Sequence, residues 1–214
     1  MTGRRRTIAI GAALTGLACA SVPAAAQNLG TYEGVIEIEG VQHGPEVHYK
    51  ARIRVLMPVS SRDKRSIDAE FLAGEAPQGK IDILEWEESD KDKSPDSEGV
   101  RNSYRCSLAD AVTLPATVQG VLNVDTANME HTWSISVVSM DDADFKCVHS
   151  RSGPYKTRKG FSFSTGTGVP GSQSENPLPI GSASHIMGQY VLDPTDYTDG
   201  KFGPINQKWE FTLK

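Results

Sequence analysis

Apolar and polar side chains take turns at every second position along much of this chain, and no apolar run recurs at helical spacing. A period of two sends successive side chains to opposite faces of a strand, so one face packs and the other stays wet. The clearest stretch is 47–57, where Val47, Tyr49, Ala51, Ile53, Val55 and Met57 share one face and His48, Lys50, Arg52 and Arg54 the other. In 32–39, Tyr32, Gly34, Ile36 and Ile38 alternate with Glu33, Val35, Glu37 and Glu39. The two stretches are expected to pair as an antiparallel hairpin across a loop over 40–46, which holds two glycines and a proline. A register whose opposed residues sum to 87 sets Glu39 against His48, Glu37 against Lys50 and Glu33 against Arg54, with Ile38 over Tyr49 and Ile36 over Ala51 inside. A shift of one residue would bury the acids, so face matching selects an odd sum. The basic row then reads as a structural ladder to the acidic row, not as a ligand site.

Nine further strands are expected, over 66–72, 80–86, 102–108, 118–124, 131–140, 145–149, 161–164, 186–192 and 207–214. Eleven short strands with Gly- or Pro-bearing links predict an all-β, single-domain antiparallel sandwich or barrel. Trp133 and Trp209 fall on the apolar side of their runs and are expected in the core. Three stretches interrupt the pattern and read as loops: an acidic one over 85–99, a Gly/Ser/Pro-rich one over 165–179, and 193–206 with its spaced aspartates.

Residues 1–26 read as a secretory signal: Arg4 to Arg6 form a basic flank, 7–20 is uncharged and apolar, and Ala24 to Ala26 supply a small-residue cleavage site before Gln27. That apolar run is shorter than the ~20 residues a spanning helix needs. The predicted product is therefore residues 27–214, periplasmic or secreted, and not membrane-embedded. Removing the leader takes three arginines and no acid, so the net charge falls from −5 to −8. An acidic surface argues against nucleic acid as the partner. The exported part keeps two cysteines, Cys106 and Cys147, and an oxidising compartment predicts one disulfide between them.

Motifs that could carry chemistry are each incomplete. Asp90, Asp92, Ser94, Asp96 and Glu98 space oxygens as a calcium loop does, but Pro95 stands at the sharp turn and Arg101 where a closing Glu belongs. Gly166, Gly168 and Gly171 spell GxGxxG, yet Pro170, Pro177 and Pro179 cannot open the helix that a dinucleotide needs. His43, His48, His131, His149 and His185 show no zinc spacing. There is no GxSxG elbow, and Ser184 and His185 are neighbours that face apart on a strand, so a triad would have to draw on Asp141, Asp142 or Asp144. No metal and no cofactor is expected.

The best binding candidates are aromatic: Trp86 at the end of a strand, and Tyr155, Tyr197 and Phe202 in loops. Aromatic faces at loop tips stack sugars or grip extended peptides in β modules. The sequence thus predicts an exported non-catalytic binding or structural module for carbohydrate or protein. A secreted hydrolase with a dispersed site and a hydrolase inhibitor presenting the 165–179 loop are the alternatives.

Overall fold

The computed structural model describes residues 29–71, 77–91, 97–167, 177–192 and 200–214. The expected leader over 1–26 and Tyr197 lie outside these residues, as does most of the expected 165–179 loop. Among the described residues the chain is all strand and turn, without helix. Thirteen strands follow in order: β1 (Thr31–Gln42), β2 (Glu46–Arg62), β3 (Ser66–Glu70), β4 (Gly79–Lys91), β5 (Ser103–Leu108), β6 (Val112–Asp125), β7 (Glu130–Ser139), β8 (Ala143–His149), β9 (Gly153–Lys159), β10 (Ser162–Gly166), β11 (Leu178–Pro179), β12 (His185–Leu192) and β13 (Phe202–Leu213).

All pairings are antiparallel and belong to one sheet. From one edge it runs β12, β13, β1, β2. Beyond β2, β4 and β3 share the same side, and β6 pairs with both of them. β7 follows β6 and carries β10 and β11 on its far side. The second half of β4 leaves this path and bears a branch of β5, β8 and β9.

Alternation along these strands concentrates apolar side chains on one face, and that face folds onto itself as in a sandwich. Trp133 of β7 lies 5.5 Å from both Trp209 and Phe211 of β13, a strand with which β7 shares no ladder. Phe163 of β10 meets Tyr49 of β2 at 5.8 Å in the same way. Trp133 and Phe211 are fully buried and Trp209 nearly so, as expected from their phase. Each such side chain contributes roughly 1.5–3 kcal/mol on burial. Gly34 makes room in this layer, since a Cβ there would stand 2.6 Å from the Phe211 ring and 2.8 Å from Val55. The last strand is anchored at its end, where the Lys214 amide donates to the Thr31 carbonyl at 2.9 Å.

The β1–β2 hairpin forms, but its opposed residues sum to 89, not 87. Both sums keep oily residues facing oily residues, so the faces could not choose between them. The turn chooses: strand pairing persists to Gln42 opposite Val47, leaving a tight turn where the 40–46 loop was expected. Glu37 therefore pairs with Arg52, at 2.8 Å, and Glu39 stands opposite Lys50. Arg54, released from Glu33, reaches Asp82 of β4 at 2.7 Å.

Other expectations are corrected. The acidic stretch from Glu85 to Lys91 is strand, because β4 stays hydrogen-bonded to β2 and then to β5. β9 was not expected, since GPYKTRK has no apolar alternation; it is an edge strand whose ladder, among the described residues, is with β8. Tyr155 therefore stands on a strand, and Phe202 opens β13, where loops were expected for both.

The disulfide is present. Cys106 on β5 is directly opposite Cys147 on β8, with sulfurs 2.03 Å apart and Cα atoms 4.0 Å apart. Replacing both cysteines by alanine is expected to lower the unfolding free energy by about 4 kcal/mol, read from the urea midpoint, with the far-UV circular dichroism unchanged. Gly34→Ala is expected to cost about 1–3 kcal/mol in the same assay, because the ring and the valine beside it must both shift.

Candidate functional site

The site begins with a break in the alternation. Along β4, Ile81 and Ile83 face the core. Opposite them, Ala51 pairs with Ile83 but Lys50 pairs with Glu85, so Leu84 is an extra residue. This bulge changes the phase of everything after it. Trp86 and Glu88 now turn to the inner side and Glu85 and Glu87 to the outer one, the re-aiming that bulges produce near binding sites.

Trp86 is directly opposite Tyr49, and their rings lie 5.7 Å apart. Phe161 supports Trp86 edge-on at 5.0 Å, and Phe163 backs both rings. Gly40 leaves space for Tyr49, whose hydroxyl would be 2.6 Å from a Cβ at that position. Burial pushes the Tyr49 phenol up to about 12. The two half-buried rings, with Leu84 and Leu108, line a groove of about 860 Å³. Its polar wall is supplied by Glu39, His48, Lys50, Glu85, Glu87, Asp110 and Asn206. Apolar floor and polar rim are what a small-ligand site requires.

Below the groove a buried polar network ties β4, β5 and β9 together. Glu88 accepts a hydrogen bond from the Tyr104 hydroxyl at 2.8 Å and an ion-paired one from the Lys159 ammonium, which also lies 5.6 Å from the Phe145 ring centre. Burial opposes the charge on Glu88, but Lys159 and Tyr104 outweigh it and hold the carboxyl below its usual range. The Trp86 indole N–H is buried outside hydrogen-bond geometry, yet close enough to help hold that charge. Burial, and then Glu88 itself, push the Tyr104 phenol well above its usual range. Asp82 is held low in a similar way: hydrogen bonds from Thr113, at 2.6 Å, and Arg54 outweigh its burial.

The two described aromatic candidates, Trp86 and Tyr155, do not converge. Tyr155 stands opposite Cys147, 42% exposed, with its hydroxyl 3.8 Å from the Cys106 sulfur. It lines a separate recess of about 500 Å³ with Arg105, Lys146 and Lys156. Of the two candidates whose side chains are described, Trp86 lines the groove and Tyr155 does not; Tyr197 and the Phe202 side chain lie outside the described residues. Tyr49, whose phase marked it as core, is the floor residue that sequence reasoning missed.

Three of the five histidines, His131, His149 and His185, take structural positions. His131 is buried; its Nε2 accepts from the Trp209 indole N–H at 3.0 Å, so Nδ1 carries the proton and donates to the Leu178 carbonyl at 2.9 Å. His149 Nδ1 accepts from the Arg151 amide at 3.2 Å within its own turn. His185 meets Glu210 at 2.9 Å on the exposed face, and the Ser182 and Ser184 hydroxyls bond each other. Asp141, Asp142 and Asp144 join no serine–histidine pair among the described residues. No cluster of three metal-ligating side chains occurs among the described residues, and 92–96 of the acidic spacing lie outside them. We found no match to this chain among protein-family models, curated proteins or solved structures.

Burial lowers the affinity of His131 for a proton below its ordinary value of 6.5. Below about pH 6.5 the unfolded chain binds a proton that the folded chain refuses, so stability falls as pH falls until the folded imidazole also titrates. The urea midpoint is expected to be lower at about pH 5.5 than at about pH 7. His131→Gln is expected to flatten that slope, measured as the difference between the two chains.

Proposed function

We propose that the chain is an exported, non-catalytic binding module that takes a carbohydrate in the groove over Tyr49 and Trp86. The observation that carries this reading is the Trp86–Tyr49 pair, fixed from behind by Phe161 and Phe163 and open to a groove walled by carboxylates, an amide, an imidazole and an ammonium. A sugar ring presents the matching surfaces, C–H groups to an aromatic face and hydroxyls to donors and acceptors around it. Fixed rings also lose little conformational freedom when a ligand arrives.

The hydrogen-bonded Glu88–Tyr104 pair beside the groove supports a structural part over turnover. General acid–base work needs a proton that moves near the working pH. Glu88 is kept ionised and Tyr104 protonated on either side of neutrality, and each satisfies the other. The hydrolase reading has one observation in its favour, the His185–Glu210 pair, but no serine hydroxyl bonds that imidazole among the described residues.

Titration calorimetry of the full processed chain against a panel of neutral and acidic oligosaccharides tests the proposal. Binding is expected for at least one class, with a Kd raised about ten- to hundredfold by Trp86→Ala, the loss expected when one stacked ring is removed. Tyr155→Ala, in the separate recess, is expected to leave Kd unchanged. Absence of binding across the panel, or equal loss in both variants, rejects the groove as the site; release of reducing ends would replace binder by hydrolase.

A further inference from the structure

We propose that β12 is an association edge, and that a second copy of this chain adds its own β12 to it in antiparallel fashion. The sheet has several edges among the described residues, and they differ in chemistry. β9 is guarded by Pro154, Lys156, Arg158 and Lys159, the residues that keep an edge strand from recruiting another chain. β10 and β11 are only five and two residues long. β12 has eight residues, HIMGQYVL, with no proline and no Asp, Glu, Lys or Arg, and among the described residues its regular ladder is with β13 alone.

Its outward side chains make the strand complementary to itself. Met187 and Val191 are 61% and 66% exposed, and they lie four positions apart with Gln189 between. An antiparallel copy in which opposed residues sum to 378 places each Met187 against Val191 of the second copy, and Gln189 against Gln189 on the two-fold axis. A slip of two residues would oppose Met187 or Val191 to Gln189 on the outer face. A strand without charge meets no like charge when it meets itself, and its mate is the same patch, as a two-fold interface requires. A foreign peptide would need selecting features, and this edge offers none of its own sign.

Sedimentation of the full processed chain from about 1 to 100 µM is expected to show a monomer–dimer equilibrium. The Met187→Lys/Val191→Lys double variant alters only exposed side chains, so it is expected to keep its near-UV circular dichroism while its dimer Kd rises at least about tenfold. Gln189→Cys is expected to give a covalent dimer on mild oxidation, because opposed antiparallel cysteines can bridge, as Cys106 and Cys147 do on β5 and β8. Lys208→Cys, exposed on β13 away from the edge, is the control expected to stay monomeric on a denaturing non-reducing gel. A monomer at every concentration, a dimer indifferent to the lysines, or cross-linking no faster at 189 than at 208 overturns the proposal.

Discussion

A sheet with one oily face must find something to cover it, and here the cover is another part of the same sheet. No helix is available among the described residues to do so. The seam is Trp133 against Trp209 and Phe211, reinforced where Thr165 of β10 donates to Gln207 of β13 and where the Trp209 indole donates to His131. These polar bonds cross between strands that share no ladder, so they fix how the two halves face each other. Hydrophobic attraction alone is non-directional. The pair of directed bonds makes one arrangement preferable to a sliding family of similar ones.

The strands were legible because burial on one side leaves a period of two in the sequence, and the last one shows it to the end: Trp209, Phe211 and Leu213 against Lys208, Glu210 and Thr212. Register was legible only to parity. Faces distinguish odd sums from even ones, and the slip from 87 to 89 costs nothing until the turn and the partners of Arg54 are known. β9 was silent because an edge strand whose sides are both wet carries no contrast to read. The candidate site was half legible for a related reason. Trp86 drew attention as an aromatic beside acids, but its direction depends on one extra residue at Leu84, and a single insertion reverses any reading of inside and outside that continues past it. Tyr49 was hidden by the same device, since only the opposing bulge opens a groove above it.

The bulge also separates two kinds of polar chemistry. On its inner side Glu88, Tyr104 and Lys159 saturate one another and serve as a joint between the main sheet and the β5–β8–β9 branch. On its outer side Glu85 and Glu87 remain at the groove wall. Burying one carboxylate among its partners and exposing the next lets neighbours of identical chemistry do unlike work. The buried one lowers the cost of carrying a branch that otherwise rests on a narrow stretch of ladder.

The covalent bond between β5 and β8 brackets the two strands that form the far wall of the seam, since β6 and β7 lie wholly between Cys106 and Cys147 in the chain. The exposed turn after Asp125, capped by its own carboxylate, sits inside that bracket. A protease that severs the backbone there leaves both fragments joined through sulfur and through ladders on either flank. Damage at this exposed hairpin of the enclosed segment is thereby converted from dissociation into a nick, and the two pieces stay together after the cut.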